Sequence, residues 1–221
     1  MIEQSLAIPG FLDTTAIMAG ALTGAMHATR KGLDVMGVLF VAFATGVGGG
    51  LVRDVLLQNG EPALLTNPAL QLYACVGAIV GLFFAKGASK LNPVYDALDT
   101  FMIGIWALLG CYKAEVDGLG PIPVIFIGTV AAVGGAVIRD ILCHEPPALL
   151  LPGYFYTVAA FAAASTYVSL VNLGVPVVIC QVLAVLAAIV VRVASLKFHI
   201  VTPTALVMSD AVMRKLHLQK Y

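Results

Sequence analysis

Two heptapeptides, GGGLVRD at residues 48–54 and GGAVIRD at residues 134–140, limit what this chain can fold into. Each sets a glycine cluster and an Arg-Asp pair inside an apolar run, where loosening a helix and burying charge are both costly. The register around them is kept. A shift of 86 residues carries Asp13 onto Asp99, Gly24 onto Gly110, His27 onto Lys113, Gly49 onto Gly135, Arg53 onto Arg139 and Asp54 onto Asp140. After the loss of one residue, Pro62-Ala63-Leu64-Leu65 falls on Pro147-Ala148-Leu149-Leu150. The chain therefore reads as an internal duplication.

Composition decides the solvent for this duplicated unit. Hydrophobic residues make up 60% of the chain and charged residues 11%, with a mean hydropathy of +0.99, against about 25% charged residues in soluble domains. That is an all-α integral membrane protein. The formal net charge is zero, so no whole-chain basic field points to nucleic acid. Windows able to cross the bilayer as helix fall near 9–28, 35–57, 70–86, 97–115, 121–143, 154–172 and 174–195, which predicts seven transmembrane helices. Assigning Arg30, Lys31, Lys86, Lys90, Arg139, Arg192, Lys197, Arg214, Lys215 and Lys220 to one side leaves Arg53 and Lys113 toward the other. The positive-inside rule then puts the C-terminus in the cytoplasm and the N-terminus outside. Residues 1–5 hold no cationic n-region, so no cleavable signal peptide is expected.

A repeat of three spans crosses the membrane an odd number of times, so its second copy enters from the opposite side. The expected organisation is a first three-helix repeat over 1–90, an inverted second over 91–173, a seventh helix over 174–195 and a cytoplasmic tail over 196–221. The stretch 205–218 has the pattern of a short amphipathic helix. Inverted repeats commonly place a transport route at their interface, built from interrupted helices. Spans 2 and 5 are the candidates, because Gly48, Gly49 and Gly50 in one, and Gly134 and Gly135 in the other, should loosen or kink them. Close helix packing is the competing role for these glycines, and it is the preferred one for the GxxxG spacings Gly20/Gly24 and Gly77/Gly81.

Arg53 with Asp54 and Arg139 with Asp140 follow the glycines by one turn. Neighbours on a helix point about 100° apart. The expected partners are therefore crossed, Arg53 with Asp140 or a span 5 carbonyl, and Arg139 with Asp54 or span 2. An ion pair that only locks spans 2 and 5 together is the alternative. His27 and Lys113, at the ends of spans 1 and 4, would stand at opposite mouths of one conduit and tune ion entry. Their plainer roles are helix capping and snorkelling. Asp13 and Asp99, each before a Thr, read as N-caps. Cys75, Cys111, Cys143 and Cys180 lack CxxC spacing, and the four histidines show no metal-ligand periodicity. No phosphate loop or nucleophile elbow is present, so neither an enzyme nor a resident cofactor or metal is expected.

Taken together, LDTTAIMAGALTGAMHATRKGLDVMG and GGGLVRDVLL with Pro62, then Leu98-Asp99, Gly110 with Lys113-Ala114, GGAVIRDIL, and Pro147 ahead of Tyr154, resemble the prokaryotic trimeric intracellular cation (TRIC) channels. Bacterial members of that family are also described as a glycine-transporter domain. The resemblance covers about residues 12–170. It implies a seven-helix protomer of three plus three inverted helices and a seventh, with helices 2 and 5 kinked at the glycine clusters. It also implies a homotrimer in the prokaryotic inner membrane, surrounded by lipid, with a pore through each protomer for monovalent cations, chiefly potassium with some sodium. The family's basic pore positions map onto Arg53, Arg139 and Lys113. Ala136 departs from the third glycine of the pattern, and Lys113-Ala114-Glu115-Val116 only approximates the lipid-binding Lys-Glu-Val of animal relatives, so no phosphoinositide site is carried over. The alternative is a secondary transporter of a small solute such as glycine, since half-helix ends meeting at mid-membrane also suit a zwitterion.

Overall fold

The computed structural model describes residues 11–84 and 92–204, together with Val207; the predicted tail helix lies outside the described residues apart from Val207. The chain runs α1 (Phe11–Arg30), α2 (Val35–Leu57), the single turn α3 (Ala63–Thr66), α4 (Pro68–Phe84), α5 (Asn92–Val116), α6 (Pro121–Leu142), a 3-10 turn (Ala148–Leu150), α7 (Thr157–Asn172) and α8 (Val177–Lys197). Each apolar window of the sequence falls on one of the long helices. Among the described residues α2, the 96–116 part of α5, α6 and α8 are long and apolar enough to cross a membrane, and α4 and α7 are shorter apolar helices.

Local chemistry fixes where these helices begin and end. The Asp34 side chain accepts a hydrogen bond from Gly37 N–H at 2.7 Å and caps α2. Gly120 precedes Pro121 at the first turn of α6, where proline's missing N–H costs nothing. Gly32 and Gly118 end α1 and α5 with φ of 74° and 77°, left-handed conformations that glycine adopts without strain. They are 86 residues apart, and so are the bonds that close the two ends, Leu33 N–H to Ala28 C=O and Leu119 N–H to Ala114 C=O.

Packing follows the same spacing. The first half packs α1 on α2 and α4, and α2 on α4; the second packs α5 on α6 and α7, and α6 on α7, with α8 added against α5 and α7. The halves meet where α2 crosses α6. A Cβ on Gly49 would lie 2.4 Å from the Ala131 carbonyl oxygen, and one on Gly135 would lie 2.5 Å from the Thr45 carbonyl oxygen. Thr45 and Ala131 are themselves equivalent positions, so the two contacts exchange partners across a local two-fold. As α2 advances from Thr45 to Gly49, its neighbour on α6 recedes from Gly135 to Ala131. The helices are antiparallel at the crossing. The described backbone stays α-helical through both glycine clusters, so these glycines open no break in the hydrogen-bond ladder. Gly48, Gly49 and Gly135 instead bring two backbones within a distance that a side chain would forbid.

Gly20, Gly24, Gly77 and Gly81 do the same work inside the first half. A Cβ on Gly24 would strike the Thr45 side chain at 2.6 Å, and Cβ atoms on Gly77 and Gly81 would meet the Met18 carbonyl and Ala25 Cβ at 2.6 Å each. These spacings therefore hold spans together within the protomer. The outer surface is apolar: Val178, Val182, Leu186 and Val190 form an exposed stripe down α8, which water would not tolerate at this extent. Beyond α8, the chain folds back on the α6–α7 connection through Thr202 and Gly153 and a bridge between Val201 and Tyr154.

Candidate functional site

Arg53 and Arg139 are each 5% exposed, and each is neutralised by its own neighbour. Arg53 Nε donates to Asp54 Oδ1 at 2.8 Å, and Arg139 donates to Asp140 Oδ1 from Nε at 2.9 Å and from the guanidinium tip at 2.8 Å. The ion pairs thus run within each Arg-Asp unit, which corrects the crossed ion pairs of Arg53 with Asp140 and Arg139 with Asp54 expected from the sequence. Backbone bonds 100° apart direct the first atoms of two side chains apart, but the long arginine stem curls back over the helix to reach its neighbour.

The remaining carboxylate oxygen explains the repeated Pro-Ala-Leu-Leu. Asp54 Oδ2 accepts from the backbone N–H of Ala63 at 2.9 Å, and Asp140 Oδ2 accepts from that of Ala148 at 2.9 Å. Each aspartate thus holds an arginine with one oxygen and, with the other, the first N–H of the short helical turn that follows the proline. Gln58 and His144, also 86 residues apart, take left-handed φ values of 52° and 62° to turn the chain back toward the aspartate. These backbone donors carry no side-chain signal. Only the recurrence of a proline-led turn at a fixed distance from Arg-Asp could have revealed them.

Around these matched units the two ends differ. At the first end Lys113, from the other half, donates to Asp54 Oδ1 at 2.7 Å. Asp13 shares the field of Arg53, Lys113 and Asp54. These four groups line a cavity of about 440 Å³ that also touches Val47, Gly50 and Trp106. At the second end Arg139 lies 3.9 Å from Asp99, which also takes a long 3.5 Å hydrogen bond from the Tyr156 hydroxyl. The cavity there is about 30 Å³ and is lined by Asp99, Arg139, Tyr156, Gly20, Gly135 and Ala136, among others. Asp99 is not an N-cap: α5 begins at Asn92, a turn and more before it, because the polar segment ahead of the apolar window joins the helix. Asp13 lies inside the first turn of α1.

His27 does not reproduce what Lys113 does. It hydrogen-bonds Glu145 at 2.9 Å, and Lys31 pairs with the same carboxylate. Glu145 sits in the connection after α6, where the Lys31 ammonium first and His27 second hold its carboxyl below the usual glutamate range. Glu145, Tyr156 and Trp106 are the side chains at these ends that the sequence did not single out. Gly48 completes the crossing, its Cβ position lying 3.2 Å from Gly135 Cα, while Gly134 faces Gly49 Cα at 3.4 Å. The arrangement has buried, internally compensated charge at two ends of a close helix crossing, and a solvent-sized cavity at one of them. That suits passage of a small ion or solute.

Known proteins share this architecture. The family model described as Glycine transporter matches twice, over residues 10–86 and 96–172, windows displaced by the same 86 residues. The inner membrane protein YadS of Escherichia coli, a UPF0126 protein, is 25% identical over 195 residues, covering 88% of this chain and 94% of its own. The TRIC channel orthologue from Rhodobacter sphaeroides superposes with a TM-score of 0.80 at 30% identity, covering 86% of this chain and 97% of that one. A structure described as the basis for conductance through TRIC cation channels gives a TM-score of 0.81 at 27% identity, over 90% and 97% of the two chains.

Proposed function

The chain belongs to the prokaryotic TRIC channel family, whose family model bears the description Glycine transporter, and from that membership we propose that it is a channel for monovalent cations, chiefly potassium with some sodium. The ion path runs through each protomer of a homotrimer, beside the crossing of α2 and α6. All seven long helices span the inner membrane as inverted repeats, with the N-terminus outside and the C-terminus in the cytoplasm.

The observation that carries this reading is the pairing of Arg53 and Arg139 with their own aspartates. A bare guanidinium would repel potassium, whereas a guanidinium with its carboxylate bound presents a dipole that a cation can approach from the carboxylate side. At the first end Asp13 and Asp54 offset Arg53 and Lys113 and face the cavity of about 440 Å³. Lys113 is the more exposed member of its pair, its side chain 32% exposed against 6% for Asp54, and we take it as the mobile charge. A charge displaced through the full membrane field is worth about 2.3 kcal/mol per 100 mV, so its release from Asp54 would make opening voltage-dependent.

Planar-bilayer recording of the purified protein under asymmetric potassium chloride tests the proposal. Discrete steps reversing near the potassium equilibrium potential are expected. The family description keeps a carrier of glycine as the second reading; saturable uptake of labelled glycine without unitary steps would replace the channel with it.

A further inference from the structure

One pair of equivalent positions fills its space very differently: the shift of 86 residues sets Trp106 where the first half has Gly20. The indole is 7% exposed and lies along the glycine cluster of α2. A Cβ on Gly49 would sit 3.6 Å from its Cδ2, and one on Gly50 would sit 3.4 Å from its Cζ3. At the other end the corresponding pair is Ala136 with Gly20, and both line the small cavity. The departure of Ala136 from the glycine pattern thus falls opposite the position that has no side chain, and Gly50 is kept opposite the position with the largest. Among the described residues lining the two cavities, Trp106 is the only one common to both.

We infer that Trp106 is the plug of the conduit: its indole closes the wide first end from the narrow second end, and its removal joins them. The inference rests on the part of the proposed function that the channel shares with its carrier alternative, a transport path through the protomer, because it takes the two cavities as parts of one path. Its physical basis is independent of selectivity. An apolar ring at a constriction offers no oxygen to replace the hydration of an ion, so water and ions are excluded together. The mirror position cannot do the same, since glycine has nothing to place in the path.

Thr23, 3% exposed and lining the small cavity, provides the reporter position. Thr23→Cys is made alone and with Trp106→Ala or Trp106→Phe, reconstituted in nanodiscs, treated with a charged methanethiosulfonate and read by peptide mass spectrometry. Native Cys111 and Cys180, both 0% exposed, report in the same sample whether the fold has loosened. The expected result is modification at position 23 at least about tenfold faster with Trp106→Ala, little change with Trp106→Phe, and continued protection of Cys111 and Cys180. An unchanged rate at position 23 with the two native cysteines protected would overturn the plug. If Trp106→Ala exposes Cys111 or Cys180, Trp106→Leu takes its place under the same criterion. Recordings of the same variants separate the two ideas. Faster labelling without current in any variant would remove the channel and leave the plug, whereas wild-type potassium current with unaltered labelling would remove the plug and leave the channel.

Discussion

The two ends of the helix crossing carry the same core device and put it in different settings. In both, an aspartate grips its neighbouring arginine with one oxygen and the turn after a proline with the other. At the first end that device opens on a cavity of about 440 Å³ and gains Lys113 from the opposite half. At the second it lies against Asp99 and Tyr156 with about 30 Å³ of space beside it. The duplication has therefore preserved the unit that keeps buried arginine neutral, and divergence has fallen on what surrounds it. On the proposed channel reading, unlike ends would give a direction to gating that two identical halves could not.

The largest test of this contrast removes the aspartates. Asp140→Asn takes the adjacent carboxylate from Arg139 where little water can reach it, with Asp99 3.9 Å away, and breaking a buried pair in this way costs about 3–5 kcal/mol. Asp54→Asn leaves Arg53 with Asp13 nearby and beside a cavity that water can enter, and the loss there should be smaller by about 1–2 kcal/mol. Thermal unfolding in detergent reads both. Equal losses, or a larger one for Asp54→Asn, would mean that the small cavity hydrates its arginine as well as the large one does. The neighbour pairing itself is checked by coupling: Arg53 and Asp54 should be strongly non-additive in a double-mutant cycle, and Arg53 and Asp140 nearly additive.

The crossing, unlike its two ends, is symmetric, and substitutions there should show it. Gly49→Ala and Gly135→Ala each push a methyl into a carbonyl oxygen, at 2.4 and 2.5 Å. Each should cost about 1–3 kcal/mol, and nearly the same amount. Gly50→Ala meets Trp106 at an ordinary contact distance of 3.4 Å and should leave stability within about 0.5 kcal/mol of wild type. A large loss from Gly50→Ala would show that the indole is held more tightly than this spacing implies.

Most of the scaffold was legible before any coordinates. Apolar windows located the long helices because a membrane leaves helix as the only way for an unpaired span to satisfy its backbone. The register of the repeat announced that Gly49 and Gly135 would be used alike. What failed was the inference from helix geometry to side-chain pairing, because the direction of a Cβ says little about where a guanidinium four bonds further out will rest. The backbone donors of Ala63 and Ala148 were invisible for a different reason: alanine's N–H is the same as any other residue's. Trp106 escaped notice because a lone aromatic in an apolar span reads as core until its equivalent, Gly20, is set beside it. The pair of Lys31 with Glu145 falls, by the same shift of 86, on Asp117 with Asn59, which are also hydrogen-bonded. Position is kept there while residue type is not, so no motif marked either pair.

Lys113→Gln gives a smaller and more specific effect at the first end. It removes one of two cations from Asp54 but leaves Arg53 in place, so the fold should lose about 0.5–1 kcal/mol. If Lys113 is the mobile charge, the steepness of voltage dependence should fall with it while unitary conductance is kept or raised. His27→Gln, at the equivalent position, should leave that steepness unchanged, because His27 is bound to Glu145 rather than to the Arg-Asp unit. Matching effects from both substitutions would restore the two positions to one shared role.

The smallest effect belongs to Glu145, whose partners tie the α6–α7 connection to the end of α1. The carboxylate is partly exposed, so the pairs with Lys31 and His27 together contribute at most about 1 kcal/mol. Its folded pKa is lowered, chiefly by the Lys31 hydrogen bond, which makes the unfolded state the one that binds a proton more readily. The contribution is therefore fully present above the ordinary glutamate range and is lost as pH falls through the depressed folded value. The difference in melting temperature between wild type and Glu145→Gln should be visible near neutral pH and close as the pH is taken into the acid range. A difference that widens toward acid would mean that the Glu145 carboxylate is not the stabilising charge.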